Sequence, residues 1–183
     1  KELARGLDLD ITKKEIDKLA EAVKAFQSKQ QIENLQNSIS ELEAASEVLR
    51  SGWVAMGPRT RRFEEEFAAY LGAGHALAVA NGTAALHLAH LAAGCGPGDE
   101  VICPAYTWIC TISPAVFLGA RPVFCESDPD RMVLDPEDVR RRITPKTKAI
   151  LPVHLFGQCA DMHPICEAAQ ADRIPVLEDA AQA

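Results

Sequence analysis

The chain has 183 residues, 48% of them apolar and 25% charged, enough for one domain with a real core or one domain plus an appendage. A formal charge of -7 at pH 7 argues against nucleic acid or an anionic membrane as partner, and no apolar run approaches the ~18 residues of a membrane span. The N-terminus opens on charged Lys1-Glu2 with no apolar leader core, so no signal peptide is expected and the expected location is cytoplasmic.

Two compositions meet in the chain. Six of the eight lysines fall in the first 45 residues, ten of the eleven arginines fall after them, and neither Gly nor Pro occurs between Gly6 and Gly52. Thr12-Lys13-Lys14-Glu15 fits a capping box, with Ile11 and Ile16 spaced as its hydrophobic staple. Ile16, Leu19, Val23 and Phe26 follow a helical spacing; after a break in phase, Ile32, Leu35, Ile39, Leu42 and Leu49 resume it. Residues 1–45 therefore predict a long helix or a helical hairpin with a narrow apolar seam, coiled-coil-like or foreign to the rest of the chain. That seam packs on the next domain, self-associates, or is the inner face of an ordinary amphipathic helix.

Residues 46–183 read differently, as strands alternating with helices. His75–Ala80 is a short apolar strand, Thr83–Ala93 a helix, Gly94–Gly98 a turn and Glu100–Cys103 the next strand. Ile109–Leu118 is a helix, Arg121–Cys125 a strand, and Asp135-Pro136-Glu137-Asp138 opens another helix with proline in its first turn. Lys148–Val153 is a strand, Asp161–Ala171 a helix, and Ile174–Leu177 the last strand. Repeated β-α units of this length predict an α/β fold with a mostly parallel sheet and helices on both faces. None of the six cysteines forms a C-x-x-C pair and several lie in apolar runs, so reduced thiols are expected, with no disulfide framework and no metal site.

Three stretches fall at the carboxyl ends of predicted strands, the edge where open α/β sheets bind ligands. Asn81-Gly82-Thr83 stands between a strand and a helix, where a glycine admits close approach and the free amides face an anion, although taken alone such a tripeptide is more often simply a tight turn. In Pro104-Ala105-Tyr106-Thr107-Trp108, either aromatic offers a stacking face, or both merely cap the core. In Glu178-Asp179-Ala180-Ala181-Gln182, a carboxylate at the sheet edge would pair with a protonated ring nitrogen, or Asp179 would be the N-cap of a following helix. A phosphate cradle, a stacking aromatic and a carboxylate together suit one ligand, pyridoxal 5′-phosphate.

Those residues sit in longer stretches that carry a family likeness: "LRSGWVAMGPRTRRFEEEFAAYLGAGHALAVANGTAALHLA", "GPGDEVICPAYTWICT", "LGARPVF", "ITPKTKAILPVHLFGQCADM" and "PVLEDAAQA". In this order, from about Glu41 to Ala183, the chain resembles the DegT/StrS-type sugar aminotransferases, pyridoxal-phosphate enzymes of the type I aspartate-aminotransferase fold. Met56, before Gly57-Pro58, stands where that family often has Thr. The resemblance implies that Gly82 and Thr83 bind the cofactor phosphate, Trp108 stacks on the ring, Asp179 pairs with its nitrogen, and Gln182 lies near its phenolic oxygen.

It also implies transfer of an amino group from an amino-acid donor to a nucleotide-linked keto sugar or a keto-cyclitol, in a homodimer or higher homo-oligomer. The lysine that forms the family's Schiff base has no counterpart among the eight lysines here. The sequence thus reads as the N-terminal part of a longer enzyme's large domain, carrying half an active site, and the chain alone is expected to be inactive. A sugar 3-dehydratase of the same family, in which a histidine replaces that lysine, is the alternative. A non-catalytic helical assembly module is the reading from a different class.

Overall fold

A computed structural model describes residues 13–183. The capping box and staple expected around Thr12 lie outside the described residues. The chain divides into two compact units, one running to Ala78 and the other Val79–Ala183.

The first unit holds α1 (Lys13–Ser51) and α2 (Pro58–Leu71). Of the two forms expected for the N-terminal segment, the structure has the single helix, 39 residues without interruption. Local bonds support it: Lys29 and Glu33 pair one turn apart, Gln30 donates to Asn34, and the Ser28 hydroxyl donates to the Lys24 carbonyl. The seam residues Leu19, Val23, Phe26, Ile32, Leu35, Ile39, Leu42 and Leu49 are all exposed. The phase break explains why they make no continuous stripe. Val23 and Ile39 are sixteen residues apart, which at 100° per residue sets them roughly 160° apart round the helix.

α2 begins at Pro58, where the missing N–H is no loss, and ends at Gly72, whose φ of 65° is the left-handed helix stop. Past it the predicted strand His75–Ala80 does not form. The segment is irregular, and the Ala78 amide donates to the Glu64 carboxylate at 2.8 Å rather than to a neighbouring strand. An apolar run of this kind forms a strand only beside a partner, and among the described residues no strand runs beside it.

The second unit is the α/β layer structure. Its elements are α3 (Gly82–Ala92), β1 (Glu100–Pro104), α4 (Ile109–Phe117), β2 (Arg121–Cys125), α5 (Pro136–Arg142), β3 (Thr147–Ile150) and α6 (Met162–Ala171). The strands are parallel in the order β2-β1-β3. Beyond β3, the segment predicted as the last strand adds a parallel edge through bridges Ile150↔Val176 and Val153↔Asp179. Pro152 and Pro175 lack amides, so this edge is a set of bridges rather than an unbroken ladder. The Ile150 amide donates to the Pro175 carbonyl, and the Asp179 amide donates to that of Pro152.

Every residue of β1 is buried because both faces are covered. The period of two divides its side chains between two cores. Ile102 and Ile150 pack with Val139, Ile165 and Ala169 of α5 and α6. Val101, Cys103, Ala149 and Leu151 pack with Ile112 and Ala115 of α4, with Leu86 of α3 against them. The helices thus lie on both faces, as the sequence predicts, and the strands' carboxyl ends converge on one edge.

Asp138 anchors the α5 side. Burial opposes its ionisation, but the Glu126 amide, the Arg142 guanidinium, the Cys125 thiol and Arg141 outweigh burial and hold the carboxyl far below the usual range. Burial pushes the Cys103 thiol up to about 12, and pushes that of Cys125 higher still, with Asp138 adding to it.

Candidate active site at the carboxyl edge of the sheet

Asn81 is the N-cap of α3: its backbone is extended and its side-chain oxygen accepts from the Ala84 amide at 2.9 Å. The Gly82 and Thr83 amides have no acceptor among the described residues, and no acidic residue occupies the helix's first turn. A Cβ built on Gly82 would meet nothing within 4 Å, so open space lies over these amides. Free N–H groups at the positive end of a helix, with room in front of them, make a place for an anion.

Asp179 ends the last bridged segment and is 8% exposed. Its Oδ2 accepts from the Thr111 hydroxyl at 2.7 Å, and its Oδ1 from the Ala181 amide at 3.2 Å. The bond to Ala181 is that of an Asx-type turn or a helix N-cap, and with the bond from Thr111 it holds the carboxylate at the sheet edge. Gly82, Ala85, Ala89 and Asp179 line one cavity of about 380 Å³, which brings the amide-bearing helix start and the carboxylate together. Thr83 lines a separate hollow with Asn81, His87 and Leu88.

Trp108 is the N-cap residue of α4 and is 73% exposed; Tyr106 is also exposed. Trp108 does not line the Asp179 cavity, but its turn is tied to it. The Thr111 amide donates to the Trp108 carbonyl at 3.0 Å, and the Thr107 and Thr111 hydroxyls lie 2.9 Å apart.

Gln182, like Trp108, does not line the Asp179 cavity. Its Oε1 accepts from the Phe156 amide at 2.7 Å, which leaves its NH₂ free to donate. Phe156 and Gly157 are both left-handed, at φ of 56° and 79°, and a Cβ on Gly157 would stand 3.3 Å from the Gln182 carbonyl. Only glycine is comfortable there, and the strained Phe156 marks a corner held by its surroundings. Beside it, His154 Nδ1 accepts from the Ala160 amide at 3.1 Å, so its Nε2–H donates to Glu178 at 2.8 Å.

The sequence pattern does not single out Thr111, His154 or Phe156. Thr111 carries a signal, as one of two polar residues, with Ser113, inside the predicted helix Ile109–Leu118. The left-handed corner shows only its glycine.

The chain matches the DegT/DnrJ/EryC1/StrS aminotransferase family over residues 36–183. Among solved structures it is similar to DesV of S. venezuelae, determined with a ketimine intermediate, at 44% identity and a TM-score of 0.74, over 81% of this chain and 42% of that one. It is similar to 3-amino-5-hydroxybenzoic acid synthase at 45% identity and a TM-score of 0.74, over 78% of this chain and 38% of that one. NtdA of Bacillus subtilis, with bound cofactor PMP, is 38% identical with a TM-score of 0.74, over 77% of this chain and 32% of that one. The chain therefore spans less than half the length of each. With a family match over four-fifths of its residues and these structural likenesses, the chain belongs to the DegT/DnrJ/EryC1/StrS aminotransferase family.

Proposed function

We propose that this chain forms the cofactor-binding part of a pyridoxal-phosphate aminotransferase that moves an amino group from an amino-acid donor to a nucleotide-linked keto sugar or keto-cyclitol. One observation carries the reading: a buried carboxylate, Asp179, and the free-amide start of α3 line the same cavity at the carboxyl edge of the sheet. The residues fit the group. Open space above Gly82 and its unpaired amides suits a phosphate. A carboxylate whose two oxygens accept from Thr111 and Ala181 stays an acceptor, as a pyridinium N–H requires.

When bound, pyridoxal phosphate supplies an electron-withdrawing ring that eases loss of a proton from the carbon attached to the amino nitrogen. The chain's own part is to hold and polarise it. Gly82 and Thr83 bind the phosphate through amides and a hydroxyl. Asp179 keeps a proton on the ring nitrogen, and so keeps the ring cationic. Trp108 covers one face of the ring and excludes water from it. The Gln182 NH₂ donates to the phenolic oxygen, because its own oxygen is occupied by Phe156.

No lysine lines the cavity among the described residues, so the 183-residue chain by itself is proposed to bind the cofactor without covalent attachment and to turn over no substrate. The intact enzyme is proposed to be a cytoplasmic homo-oligomer. No helix among the described residues is long and apolar enough to cross a membrane.

Calorimetric titration with pyridoxamine phosphate tests this, since that form lacks the aldehyde and does not label lysines at random. Saturable one-to-one binding is expected, weakened at least tenfold in Asp179→Ala. Equal affinity of the variant and the wild type would refute the assignment. Borohydride reduction of a pyridoxal-phosphate mixture should fix no cofactor on a single lysine.

A further inference from the structure

We propose that Thr111, with Thr107 behind it, is a positioning residue that fixes the Asp179 carboxylate and joins it to the turn carrying Trp108. The inference rests on the reading of this cavity as a pyridoxal-phosphate site.

The direction of the hydrogen bonds is forced by chemistry. An ionised carboxylate only accepts, so the Thr111 hydroxyl hydrogen points at Asp179 Oδ2, 2.7 Å away. The Thr111 oxygen then accepts from Thr107, 2.9 Å away, and a one-way relay Thr107 → Thr111 → Asp179 results. Thr111 is 1% exposed, on a helix whose other buried residues are Ile112, Pro114 and Ala115. A valine has the same shape, so packing alone does not call for a hydroxyl there. A buried hydroxyl is a cost unless it is bonded. Its one charged partner is the carboxylate, 68 residues away in sequence.

With Oδ2 on Thr111 and Oδ1 on Ala181, both oxygens of Asp179 are anchored and the plane of the carboxylate is set. The same threonine's amide closes the first turn of α4 on the Trp108 carbonyl. The group that meets the ring nitrogen and the turn that presents the ring-covering indole are thus held by one residue.

The test uses the full chain and pyridoxamine phosphate labelled with ¹⁵N in its ring, in Thr111→Val, Thr111→Ser and Thr107→Val. In the wild type the ring-nitrogen resonance should lie in the protonated range. Thr111→Val should bind roughly tenfold more weakly, as expected for losing a hydrogen bond to a charged group, and its resonance should move toward the unprotonated value. Thr111→Ser should restore both. On an Asp179→Asn background, Thr111→Val should change the affinity less than twofold.

An unchanged resonance and affinity in Thr111→Val, or the same tenfold loss on both backgrounds, would overturn the inference while leaving the site reading intact. Absence of binding by the wild type would overturn the site reading and the inference with it. Should Thr111→Val fail to fold by circular dichroism, Thr107→Val decides. A twofold to threefold loss with a resonance shift in the same direction supports the relay, and no change refutes it.

Discussion

The two units of this chain are held by different forces. Up to Ala78, Ala68 is the one buried residue among those whose side chains are described, and α1 leaves Leu19 through Leu49 of its seam exposed. From Val79 on, Ile102, Leu134, Val139, Ile150, Leu151 and Ile165 are fully enclosed, and two cores sandwich a parallel sheet. The first unit is therefore shaped by helix propensity and i,i+4 pairs worth tenths of a kcal/mol each. The second is shaped by burial worth about 1.5–3 kcal/mol for each large side chain. Periodicity identifies a helix in both regions, but it reports burial only where another element supplies the opposing surface.

Substitution sharpens that contrast most. Ile102→Ala in the central strand should cost roughly 2–5 kcal/mol, read by denaturant unfolding. Leu35→Ala on α1 should cost less than about 0.5 kcal/mol in a monomer. A large loss at Leu35, or a concentration-dependent one, would show that α1 buries its seam against a second copy.

Asp138 gives the next effect. Its carboxyl is depressed in the folded state, so its stabilisation is complete above the unfolded carboxylate pKa of about 3.9 and is lost as the pH falls below that value. Asp138→Asn should cost about 1–3 kcal/mol at pH 7, and the gap from wild type should narrow under acid. A gap that widens between pH 4 and pH 2 would contradict this assignment.

Thiol accessibility is the smallest effect and the easiest to measure. Cys159 and Cys166 are exposed and should alkylate first at neutral pH. Cys95, Cys103 and Cys125 are buried with thiol pKa values raised by desolvation, and should react only after unfolding. Early labelling of Cys103 would mean that the α4 side of the core opens.

Much of the fold is legible from local signals. Arg121–Cys125 is a strand with the predicted ends, and Asp135 and Asp161 stand as N-cap residues of α5 and α6 where the sequence predicts those helix starts. The segment His75–Ala80 is the exception, because an apolar run specifies extended chain but not a partner. Of the site, Gly82 and Asp179 can be found because strand ends and helix starts are visible in sequence, and the structure places both on one cavity. The support behind them is hidden. The bond from Thr111 to Asp179 spans 68 residues, and the left-handed Phe156 is set by tertiary contacts no local pattern encodes.

The proposed pyridoxal-phosphate site at the carboxyl edge of the sheet is built from Gly82, Thr83, Trp108, Asp179 and Gln182. The most direct test is an amide and indole ¹H–¹⁵N titration of the full chain with pyridoxamine phosphate. Saturable shifts should appear at the Gly82 and Thr83 amides, the Trp108 indole and the Gln182 side chain, and should be lost together in Asp179→Ala. Silence at those positions, or shifts confined to α1, would contradict the claim.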